Sequence, residues 1–221
     1  MKRAYISAAA LLLALSPVFA RPPDAEGWRL KRNMNGIRVY IRKVPGSDLK
    51  EFKAVAELKT GIASVIKLME DTDSYPQWFP GIRESRVLKM LGPRELVLYQ
   101  MMNLPAPADD RDCVLKVVFT CDRALSTAAF TISSMWDYIP EKDGVIRVRM
   151  ICGTWTFVPD SARGIVTVTY RMHSEPGGSL PHWMANAAVV NRPFNVIKNM
   201  RKMLEKPVYR DAKLSELRLL R

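Results

Sequence analysis

The sequence predicts an α+β protein, an antiparallel sheet accompanied by one long C-terminal helix. Two observations carry this reading. From residue 36 onward, segments of alternating apolar and polar residues recur between turn formers, the pattern of half-buried strands. Over 179–204 that period gives way to a helical one, with apolar residues at steps of three, four or seven. A chain of 221 residues, 48% hydrophobic and 25% charged, is large enough for one well-buried core.

The first twenty residues stand outside that fold. Lys2 and Arg3 precede an apolar run over 4–15, Ser16-Pro17 breaks it, and Val18-Phe19-Ala20 suits a cleavage site. This is the pattern of a secretory signal peptide. A spanning anchor needs about 20 apolar residues, more than the run supplies. Cleavage after Ala20 is expected, placing the protein in the periplasm or outside the cell, with a folded domain over 21–207 and a basic tail over 208–221.

Segments 36–41 and 49–58 read as a hairpin turning at Pro45-Gly46-Ser47-Asp48. Phe52, Ala54, Ala56 and Leu58 share the inward face, opposite Lys53, Glu57 and Lys59. In 61–70, Ile62, Val65, Ile66 and Met69 mark a short amphipathic helix. The prolines of 75–81 end it, because proline lacks the amide donor.

Strands follow at 84–90, 95–103, 111–121, 127–136, 145–158 and 165–174. In the third of these, Cys113, Leu115, Val117, Phe119 and Cys121 share one parity with Arg111, which therefore points inward or bends out to solvent at the strand end. Over 145–158, Arg147 and Arg149 mark the outer face, leaving Val148, Met150, Cys152 and Thr154 inside. Over 165–174, Val166, Val168, Tyr170 and Met172 point inward. Ser179 is the expected N-cap of the last helix, Pro181 fits its first turn, and Pro193 is expected to kink it. Its stripe is Trp183, Ala187, Val190, Phe194, Ile197 and Leu204, and its length of about 40 Å would cross a sheet.

Several chemistries find no signature. The two histidines, His173 and His182, form no metal-ligand spacing, and Walker, GxGxxG and GxSxG motifs are absent. No cofactor is expected. Cys113 and Cys121 on one strand would stand about 26 Å apart, too far for a disulfide. The three cysteines therefore read as small apolar core residues. The excess of 34 Lys and Arg over 22 Asp and Glu favours acidic partners, but no basic-aromatic run points to nucleic acid.

The segment DTDSYPQWFPGIRESRVL over 71–88, then Arg111-Asp112, then Glu175-Pro176-Gly177-Gly178, occur in an order and spacing that resemble the START family of lipid-transfer domains. The resemblance covers 28–204. It implies a helix-grip (START/Bet v 1-like) fold, a curved antiparallel sheet wrapped around the C-terminal helix to enclose a lipid-sized cavity. It also implies that Arg111 reaches that cavity. Some sterol-binding members pair this Arg with an acid on the preceding strand, where this chain has Gln100, which puts a sterol preference in doubt.

The resulting expectation is a noncatalytic monomer that holds a lipid or other hydrophobic molecule and carries it between membranes. Its ligand-binding residues would be Leu98, Gln100, Arg111, Leu115, Val117, Phe119, Val148, Met150, Tyr170, Ala187 and Val190. A rival is a polyketide cyclase or aromatase of the same superfamily, using Arg111, Gln100, Tyr170 and His173. A third reading is an interaction module with a filled core. Transient membrane contact is expected at 75–81 and 175–181, through Trp78, Phe79 and Trp183, aided by Arg192, Lys198, Arg201 and Lys202.

Overall fold

The computed structural model describes residues 26–220 apart from 107, 123, 179 and 181. The expected signal peptide and the expected Ser179 cap therefore lie outside the described residues. Ten strands form one sheet: β1 (Arg29–Met34), β2 (Ile37–Lys43), β3 (Lys50–Leu58), β4 (Ile82–Gly92), β5 (Glu95–Met102), β6 (Arg111–Cys121), β7 (Ala128–Ser134), β8 (Ile146–Arg147), β9 (Met150–Asp160) and β10 (Ile165–Glu175). The helices are α1 (Ile62–Glu70), α2 (His182–Leu204) and α3 (Pro207–Arg210). A 3₁₀ helix over Thr72–Gln77 contains Pro76, where the sequence promised only a turn.

The strand order is β1-β2-β3-β10-β9-β7-β6-β5-β4, with β8 pairing β6 in parallel. The chain thus builds one edge, crosses through α1 to the other, and meanders back until β10 pairs with β3. Strand β1 was not anticipated. Its signal was Asn35-Gly36, whose positive φ angles of 53° and 68° make the two-residue turn that suits a right-twisted hairpin.

Helix α2 packs across β2 and β3. The small inward residues Ala54 and Ala56, both buried, leave room for it. Its second half buries Phe194, Val196, Ile197, Met200, Met203 and Leu204. Residues 208–220, expected as a basic tail, pack on the core: Tyr209, Leu217 and Leu219 are buried, and the Tyr209 hydroxyl donates to Asp71 Oδ2 at 2.6 Å. Apolar residues spaced among the basic ones fold this segment onto the core. Trp78 and Phe79, expected at a membrane interface, pack instead with Tyr75 and Trp155 inside the protein.

Strand β9 departs most from its sequence reading. Val148 and Arg149 lie between β8 and β9, outside both strands, and this break shifts the parity by one. Val148, Ile151, Trp155 and Phe157 are buried, whereas Met150 is 51% exposed and Cys152 is also exposed. A second small core explains Arg147. Val97, Tyr99, Met101 and Val114 on the outer face of β5 and β6 are covered by Met135, Ile139 and Val145. The segment between β7 and β8 thus buries an arginine that strand alternation alone would expose.

One glycine is required by packing. A Cβ on Gly153 of β9 would stand 2.5 Å from the Arg171 carbonyl oxygen of β10. That contact is with backbone and cannot be relieved by a side-chain rotation. Gly153→Ala is expected to destabilise by about 1–3 kcal/mol, read as a lower urea midpoint with an unchanged slope.

Candidate ligand-binding cavity

Between the sheet and the first half of α2 lies a cavity of about 180 Å³. Its wall is built from alternate residues of the strands, so one pleat face supplies it. Leu98 and Gln100 come from β5, Arg111, Cys113, Leu115 and Val117 from β6, Ile132 from β7, and Tyr170 and Met172 from β10. Val148, Ile151, Trp155 and Phe52 continue the wall, and α2 adds Ala185, Ala188, Val189 and Arg192.

Of the expected residues, Leu98, Gln100, Arg111, Leu115, Val117, Val148 and Tyr170 line this space. Four do not. Phe119 is buried further along β6, beside Phe130. Met150 turns outward because of the parity shift before β9. Ala187 and Val190 lie off the helix face formed by Ala185, Ala188, Val189 and Arg192. The sequence hid that face because a charged residue sits in it. Trp155, Ile151 and Arg192 are the principal wall residues that sequence reasoning missed.

Aromatic rings shape one side. Tyr170 stacks on Trp155 with centroids 3.7 Å apart and meets Phe52 edge-on at 4.9 Å. The Tyr170 hydroxyl donates to Met172 Sδ. Burial pushes its pKa up to about 12, although the charge of Arg192 opposes the rise. Burial likewise raises the Cys113 thiol to about 12, again against Arg192, so this wall cysteine stays protonated and weakly nucleophilic. Gln100 is the register partner of Cys113, and Met102 is the residue directly opposite Arg111.

The two halves of the Arg111-Asp112 motif serve opposite faces. Asp112 points outward, fully buried, and takes a bidentate pair from Arg147, Nε to Oδ1 at 2.7 Å and Nη2 to Oδ2 at 3.1 Å. The remaining Arg147 donors reach the carbonyls of Trp136, Ile139 and Pro140. The bond to Asp112 outweighs burial and raises the pKa of Arg147. Arg111 faces inward at 1% exposure. Its guanidinium donates to the Asp109 carbonyl and, at 3.3 Å, to the Gly177 carbonyl, while its Nε is buried without a partner. Among the described residues no carboxylate pairs with it.

A START domain model matches residues 22–210. The chain belongs to the START domain family. An uncharacterized protein of Pseudomonas aeruginosa is 35% identical over 82% of this chain and 89% of its own. Mouse phosphatidylcholine transfer protein is 27% identical over 79% of this chain and 82% of its own. Among solved structures, a STAR-related lipid transfer protein fragment from Xanthomonas axonopodis superposes with a TM-score of 0.75. It is 36% identical and covers 81% of this chain and 99% of that fragment.

The expected helix-grip fold is therefore the observed one, with α2 of this START domain gripped by the sheet. Gly177 and Gly178, whose loop reaches Arg111, have φ of 67° and 60°. A Cβ on Gly178 would come 2.5 Å from Ile146 Cδ1, so the loop packs closely there. His173 has the parity of the outer face, with Nε2 3.1 Å from Glu175 Oε1.

Proposed function

We propose that this START domain is a noncatalytic carrier, holding one lipid or similar hydrophobic molecule in the cavity and moving it between membranes of the exported compartment. The observation that carries the reading is the largely apolar cavity between sheet and α2. The functions for which relatives are named, phosphatidylcholine transfer in mouse and lipid transfer in Xanthomonas, support it. Pockets for drug-sized ligands usually hold about 300–1,000 Å³. At about 180 Å³ the cavity takes only part of a lipid until its wall moves. The glycine pair at 177–178, beside Arg111, is the natural hinge.

Of the expected contacts, Trp78 and Phe79 are buried, the Trp183 side chain lies outside the described residues, and membrane contact falls instead to exposed residues beside the 175–181 loop. Trp136, Tyr138 and Met150 are exposed large apolar residues, and Arg149 stacks over Trp136 at 4.9 Å. Met150 pairs in register with Glu175, at the entrance to the glycine loop. An aromatic and basic patch beside this loop suits an anionic membrane surface.

The cyclase reading receives less support. Among the described wall residues there is no carboxylate and no imidazole, and His173 lies on the other face. Native mass spectrometry of protein purified from its own host is the direct test. A lipid-sized mass travelling with the chain is expected. Bare chain, together with no transfer of lipid between vesicles, would overturn carriage.

A further inference from the structure

We infer that the cavity selects an amphiphile with an anionic head, a carboxylate or a phosphate, held between Arg111 and Arg192, in preference to a neutral or zwitterionic lipid. This rests on the carrier reading and names the chemistry of its ligand. Arg111 is a buried cation on the cavity wall with no counter-charge among the described residues and an unpaired Nε. Such a group is costly to bury unless something compensates it. Arg192 enters the same cavity from α2, and its Nη2 contacts Met102 Sδ at 3.2 Å, a weak acceptor. Met102 is the register partner of Arg111, so this contact brings the two guanidiniums to one end of the cavity.

Among the described residues no Asp or Glu lines that space, and Lys50 adds a third positive group to its wall. Two like charges converging in a partly desolvated site repel each other until an anion enters between them. The guanidinium fork matches the oxygens of a carboxylate or phosphate and can bond them in pairs. The remainder of the wall, from Leu115 and Val117 to Trp155 and Val189, is apolar and suits an acyl chain. The site therefore has a charged end and an oily end.

The test offers the delipidated mature chain separate probes: oleate, phosphatidylglycerol vesicles, phosphatidylcholine vesicles and inorganic phosphate. Bound ligand is counted by extraction and native mass spectrometry. Oleate or phosphatidylglycerol should be recovered at least tenfold over phosphatidylcholine. Arg192→Gln and Arg111→Gln should each lower recovery of oleate and phosphatidylglycerol at least tenfold. Circular dichroism checks that both fold, and Arg192→Gln, at a partly exposed position, stands alone if Arg111→Gln does not. Equal or greater recovery of phosphatidylcholine by the unaltered protein overturns the anionic preference and leaves carriage intact. Recovery of no lipid overturns both. Stabilisation by inorganic phosphate without recovery of either anionic lipid would make this a small-anion site and overturn the proposal.

Discussion

Asp112→Asn is expected to lower the unfolding free energy by about 3–5 kcal/mol, because it leaves Arg147 buried beside a neutral amide. Both partners of this pair are 0% exposed in their side chains, and Arg147 is enclosed by three carbonyls that cannot neutralise it. The pair also fixes the segment that covers the outer core of β5 and β6. Urea unfolding followed by circular dichroism measures the loss. The double variant Asp112→Leu/Arg147→Met, which removes both charges, should recover much of it. A single-variant loss below about 1 kcal/mol would show that the carbonyls alone accommodate the arginine.

Val189→Phe is expected to abolish ligand carriage while the protein stays folded. Val189 lines the cavity from α2, and a ring in its place would project into a space of about 180 Å³. Filling a pre-existing void adds contacts rather than forcing the core apart, so the melting temperature should stay within about 3 °C of the unaltered protein. Lipid recovered with the purified variant should fall at least tenfold. Undiminished recovery would place the ligand outside this cavity.

Local pattern was enough for much of this architecture. The alternation in β3, β6 and β10 gave the inward faces that the structure displays, including Phe52, Leu115 and Tyr170. It did so because a regular strand with one buried face records that face in every second residue. The resemblance to START domains supplied the expectation that Arg111 enters a cavity. The period change at α1 and α2 placed both helices to within a few residues. The Asn35-Gly36 signal for β1 was legible but went unread.

The rest depended on contacts between distant segments. Nothing local reveals that two residues between β8 and β9 break the strand, exchanging Met150 and Cys152 for Ile151 and Trp155 on the inner face. Arg147 reads as a surface residue until the 135–145 segment covers it and Asp112 pairs with it. Helix α2 carries apolar residues on more than one face, and its packing on β2 and β3 decided which face meets the cavity. Arg192 was therefore assigned outward from its charge, although it belongs to the wall. The sequence by itself determined the strands, the helices and most inward positions, because those follow from each element's own periodicity. Tertiary structure decided the rotation of α2, the parity of β9 and the entry of Arg192 into the cavity wall, because burial there is conferred by residues far away in the chain.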